Sequence, residues 1–176
     1  GMEYPMSTLI TGHRSLQSLV GVTVHEALHS WYQGILATNE SYFSWMDEGF
    51  TSYATSVTMA HLFGSQSSRP NSGNYRGYFA LAASGKEEPM STHSDPYETN
   101  FAYGRAAYSK GAVSLAQLGY IIGEEVRDTG LKRYFNEWKF KHPDMNDFIR
   151  VMEKTSELEL DWYYDYWVNS TKTIDY

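Results

Sequence analysis

Two histidines four positions apart, His25 and His29, sit in the stretch VHEALHSWYQGILATNESYFSWMDEGF at residues 24–50, with Glu26 directly after the first. Their neighbours Leu16, Leu19, Val20, Val24, Ala27, Leu28 and Trp31 recur at spacings of three and four, the period of a helix with one apolar face. The pattern predicts a helix from Ser15 to about Gly34. On it, positions i and i+4 are about 40° apart around the axis and about 6 Å apart along it. The two imidazoles therefore leave one face and can converge, while Glu26 is rotated by about 100° from His25.

Helical patterning continues along the chain. Helices are predicted over 44–63, 75–83, 103–122, 124–138, 145–154 and 161–168, that over 145–154 lying behind Pro143 and capped by Asp144 or Asn146. Segments 64–73 and 85–100 read as loops by composition. Only residues 2–10 read as a strand, and Pro5 would restrict it to an edge. The expectation is a mainly α fold in a single domain spanning 1–176, long enough to bury a core.

Charge and composition exclude several functions. A net charge of −7 argues against nucleic acid and anionic membranes as partners, and mildly favours cationic ligands such as peptides with free amino termini. No apolar run approaches the roughly 18 residues a membrane helix needs. The absence of cysteine removes disulfide and thiol chemistry and leaves the compartment open.

The helical spacing of His25 and His29 suits zinc, whose bonds to nitrogen are about 2.0–2.1 Å long. Residues 35–41 give the chain room to reverse, so that the next helix presents Glu48, nineteen positions after His29. Two histidines and one glutamate leave a fourth position for water, the pattern of a catalytic zinc site. Glu26, beside the metal rather than on it, stands where a base belongs. The alternative is an amphipathic helix that happens to carry polar residues. His13, His61, His93 and His142 are isolated and read as solvated or capping side chains.

HEALHSW at 25–31, followed by EGF at 48–50, resembles the M1 family of zinc aminopeptidases, of the gluzincin group. Gly1-Met2-Glu3 is similar to the end of that family's Gly-Ala-Met-Glu-Asn motif, AYSKG at 107–111 to its Tyr-Glu-Lys-Gly segment, and LDWYYDYWV at 160–168 to its late aromatic segment. Tyr4 and Asp47 depart from the pattern, each standing where asparagine is usual. The resemblance implies the helical core of a thermolysin-like zinc peptidase domain, excised from a longer chain with a β-rich domain before it and a helical one after. It implies one Zn2+ on His25, His29 and Glu48, with Glu26 as general base and Tyr108 as donor to the oxyanion. Glu3 would pair with the free amino terminus of a peptide substrate. Tyr103 is a further candidate for the cleft. A zinc endopeptidase and a non-catalytic peptide-binding module stay open as alternatives.

One expectation concerns residues 2–10. With no second strand in the sequence, this edge would be disordered, coiled over the helices, or paired with the same stretch of a second copy as a homodimer. Glu3 would then be misplaced relative to the metal.

Overall fold

The structure is a computed structural model, described over residues 1–64 and 70–172. Its elements are α1 (Leu16–Leu28), α2 (Phe50–Phe63), α3 (Ser72–Ser84), α4 (Asn100–Gly104), α5 (Gly111–Ile122), α6 (Glu124–Trp138), α7 (Met145–Ser156) and α8 (Asp161–Trp167). Two π-helical turns are continuous with them: Trp45–Gly49 leads into α2, and Arg105–Lys110 joins α4 to α5. No described helix is long and apolar enough to cross a membrane.

Local signals account for the element starts. The Ser15 hydroxyl accepts from Ser18 N at the start of α1, and Thr99 caps α4 through Ala102 N. Asp144 and Asp147 form a reciprocal capping box on α7. The core is aromatic. Phe148 contacts Phe50, Tyr134 and Tyr164 at ring separations of 4.8, 5.1 and 6.3 Å, and Trp45 packs on Phe50 at 5.6 Å. Trp45 and Phe50 flank the turn that carries Asp47 and Glu48, so this cluster anchors the second half of the candidate site. Helix α1 packs on α2 and α2 on α5, which places His25 and His29 above that turn.

The predicted helices are present, with four corrections. Helix α1 stops at Leu28 rather than running to Gly34. Burial of Leu36 in the core, where it bridges to Lys141, draws the chain off the helix axis, with Gln33 at φ 99°. Helix α3 begins at Ser72, while residues 65–69 of the expected loop lie outside the described residues. The helix expected from 103 begins at Asn100 and, like the one expected over 44–63, contains a π-helical turn.

The fourth correction concerns residues 2–10. They form no extended edge strand but a tight reversal: Met2 and Leu9 exchange two backbone hydrogen bonds at 3.0 and 2.8 Å, and Ser7 N donates to Tyr4 O at 3.0 Å. Pro5 takes the second position of the turn and Met6 the next at φ 63°. Met2 and Leu9 thus satisfy each other's backbone groups within one chain.

Candidate active site

Helix α1 delivers His25 and His29 to one point, and the first π-helical turn delivers Glu48. Nε2 of His25 lies 3.1 Å from Glu48 Oε2, Nε2 of His29 lies 3.3 Å from the same oxygen, and the two nitrogens are 3.3 Å apart. Donors placed tetrahedrally at zinc bond lengths are separated by about 3.3 Å. The three atoms thus already form one face of such a tetrahedron, so the donor set fits zinc in size and in kind.

Each imidazole is oriented from behind. Nδ1 of His29 lies 2.7 Å from Asp47 Oδ1, with Thr51 Oγ1 at 3.4 Å and the Tyr32 carbonyl at 3.3 Å. Nδ1 of His25 faces Thr55 Oγ1 at 3.5 Å. These partners place the N–H on Nδ1 and leave both Nε2 lone pairs for the metal. Asp47, Thr51 and Thr55 recur every four residues, a stripe visible in the sequence once the helix is assumed. Asp47 was noted there only as a departure from asparagine, and the two threonines went unnoticed.

Burial and charge set the protonation. Burial, which alone lowers the His29 pKa, is outweighed by hydrogen bonds and charge from Asp47 and Glu48, which raise it to about 10 with no metal bound. At Glu48 burial opposes ionisation, yet the donors His25, His29 and Tyr108 bring the carboxyl down to about 2. Burial lifts Asp47 to about 6 against the pull of His29. His29 would serve as a metal ligand only with its Nε2 deprotonated, the form in which an imidazole nitrogen offers a lone pair.

The remaining predicted residues gather on the same cleft, about 360 Å³ in volume. Glu26 is 4% exposed; its Oε1 lies 3.4 Å from the Gly1 nitrogen, and its buried Oε2 has no hydrogen-bond partner among the described residues. The Tyr108 hydroxyl donates to Glu48 Oε1 at 2.6 Å, its ring stacked on His25 at 5.9 Å. Burial first, and then the Glu48 charge, pushes the Tyr108 phenol far above its ordinary range. Tyr103 packs edge-on against Tyr108 at 6.4 Å, behind the residues that line the cleft and not among them. Val22, Ser52 and Asn74 also line the cleft and were not singled out from the sequence.

Glu3 corrects an expectation. Its carboxylate lies within 4.8 Å of donor atoms of Glu26 and His29, and within the same distance of Asp47 and Glu48. The turn at Tyr4–Ser7 folds Met2 and Glu3 back over the cleft, so Glu3 is not displaced from the ligands. The isolated histidines stay apart from the site. His13 and His61 are exposed, His93 accepts from Asp95 N, and His142 Nδ1 lies 2.9 Å from the Ala37 carbonyl.

The chain is similar to known proteins in sequence and in fold. The chain is 28% identical to human aminopeptidase B over 97% of its own length and 29% of that protein. It is 32% identical to the rat aminopeptidase B over 85% of its length and 24% of that one. The chain thus spans less than a third of these relatives. An M1 zinc metallopeptidase from Deinococcus radiodurans, bound to a Tyr-Ser-Ala substrate, superposes with a TM-score of 0.72 at 18% identity, covering 96% of this chain and 36% of that one, which shows the shared fold. The model of the peptidase family M1 domain matches residues 6–167. The chain belongs to peptidase family M1.

Proposed function

We propose that this chain is the catalytic core of a zinc-dependent aminopeptidase that removes residues from the free amino terminus of peptides. The observation that carries this reading is the triangle of His25, His29 and Glu48 donors beside a buried, unpartnered Glu26 oxygen. His25, His29 and Glu48 would hold the zinc, which when bound supplies Lewis-acid activation of water and of the scissile carbonyl.

The chain's own residues do the rest. Glu26 Oε2, with no competing donor, accepts the proton from the attacking water and passes it to the leaving amine. Tyr108, kept protonated by burial and the Glu48 charge, moves its hydrogen bond from Glu48 to the developing oxyanion. Glu3 pairs with the α-ammonium of the substrate, and the cluster of Glu3, Asp47 and Glu48 favours a cation at that end. A charge at that point limits cleavage to the first peptide bond. In the parent protein, flanking domains would complete the substrate channel.

The test is an assay of the full-length protein, with zinc content measured alongside, on one peptide in free and N-acetylated forms. Cleavage of the free form alone is expected. Efficient cutting of the acetylated peptide would make the protein an endopeptidase. Zinc at one per chain with no turnover of either would make it a peptide-binding module.

A further inference from the structure

We propose that a backbone contact between Gly49 and Gly111 sets the distance between the Glu48 carboxylate and the Tyr108 hydroxyl, which makes both glycines positioning residues of the site. Glu48 lies in the first π-helical turn and Tyr108 in the second, and these two turns pack against each other. Gly49 ends the first, next to Glu48. Gly111 opens α5, three residues after Tyr108.

Neither glycine is there for its conformational freedom. Gly49 has φ −69° and ψ −45°, and Gly111 has φ −59° and ψ −45°, ordinary helical values for any residue. A glycine in a helix is less favourable than alanine by about 1 kcal/mol, so the contact has to justify it. A β-carbon on Gly49 would stand 2.7 Å from Gly111 Cα and 3.0 Å from the Ala107 carbonyl oxygen. One on Gly111 would stand 2.9 Å from Gly49 Cα and 3.0 Å from the Trp45 carbonyl oxygen. These obstacles are backbone atoms, and no side-chain rotation relieves them. Carbon atoms rest about 3.5–4.0 Å apart, so alanine at either position would part the two turns by roughly 1 Å.

The surroundings pass that displacement to the reacting groups. Trp45, Ala106, Ala107 and Ala112 are essentially inaccessible, so the walls of the crossing cannot yield separately. The Tyr108–Glu48 hydrogen bond, 2.6 Å long, spans the two turns next to it. Gly104, just before the second π-helical turn, offers the contrast: a β-carbon there would meet nothing within 4 Å.

The inference rests on the peptidase reading only in its kinetic part. The experiment compares Gly111→Ala with Gly104→Ala in the full-length, zinc-loaded protein. Gly111→Ala should bind one zinc and melt cooperatively, while its crystal structure shows Tyr108 Oη beyond hydrogen-bond reach of Glu48. Turnover should fall about 100-fold, with KM little changed, and Gly104→Ala should match the parent in every respect. Tyr108→Phe should cost activity in the parent but little further in Gly111→Ala, because the phenol is already disengaged. An intact Tyr108–Glu48 hydrogen bond in Gly111→Ala, or costs of the two substitutions that multiply, would overturn the proposal. Should the parent cut no peptide, the crystallographic distance decides alone. Should Gly111→Ala and Gly49→Ala both fail to fold where Gly104→Ala folds, the contact serves the fold and the positioning role is refuted.

Discussion

Asp47 Oδ1 lies 2.7 Å from His29 Nδ1, and both side chains are almost completely buried. A ligating histidine whose far nitrogen donates to a carboxylate is fixed in tautomer and ring orientation and made a stronger donor to the metal. The successive residues Asp47 and Glu48 thus reach opposite nitrogens of one imidazole. Asp47→Ala should weaken zinc binding by about 10–100-fold. Asp47→Asn keeps an acceptor and should lose less. Competition with a chelator of known affinity measures both, and an Asp47→Ala protein that holds zinc as tightly as the parent would refute the coupling.

Glu26 shares α1 with His25 and the C-cap His29, the two proposed ligands, and is not itself proposed as one. Glu26→Gln preserves shape and volume but removes the basic oxygen. The variant should therefore retain zinc at one per chain while turnover falls by about 100-fold or more. Metal analysis and single-substrate kinetics on the same sample separate the two effects. Loss of zinc together with activity would mean that Glu26 supports the ligands and does no proton transfer.

The approach of His25 to His29, with Glu26 beside them, was legible because a helix converts sequence spacing directly into angle. Glu3 lies at the cleft although the lack of a second strand in the sequence pointed to its displacement; the reversal rests on the turn at Pro5 and Met6, where a non-glycine residue takes the left-handed region. Tyr108 carried no local signal beyond the family resemblance, because its role depends on an element sixty positions from Glu48. The π-helical turns were not legible either. They pack against each other with the backbones in close approach at Gly49 and Gly111, and no local periodicity announces them.

The Lys110–Glu87 pair tests the packing behind the second π-helical turn. Lys110 Nζ lies 2.7 Å from Glu87 Oε1 and donates to the Ser170 carbonyl at 3.2 Å, between the rings of Tyr78 and Trp167. Burial pushes the Lys110 pKa down, against the opposing pull of Glu87. Lys110→Met leaves a carboxylate without its partner and should cost about 3–5 kcal/mol. Adding Glu87→Gln should restore much of that loss, since the uncompensated charge is gone. Chemical denaturation of the three proteins checks the sequence of stabilities. Equal costs for Lys110→Met with and without Glu87→Gln would show that the pair is not coupled.

Alkaline pH should unfold the domain through its buried phenols. Burial pushes the pKa of Tyr134, Tyr163 and Tyr164 above the ordinary value of 10.0, and no formal charge repays ionisation in that core. Tyr163 also donates to the Ser114 carbonyl at 2.8 Å, a bond that the phenolate cannot make. Because the folded pKa lies above the unfolded one, the folded state binds more protons as the pH passes about 10. The stability these residues contribute is complete below that point and is lost progressively as the pH rises toward their folded values. Tyrosinate absorbance should accordingly rise in two stages. In the second stage the buried set ionises, together with the loss of helical circular dichroism. Tyr163→Phe, which removes a buried ionisable group, should shift the second stage to higher pH once its altered stability at neutral pH is subtracted. Ionisation of Tyr134, Tyr163 and Tyr164 near pH 10 with the helices intact would contradict the core that α6 and α8 build.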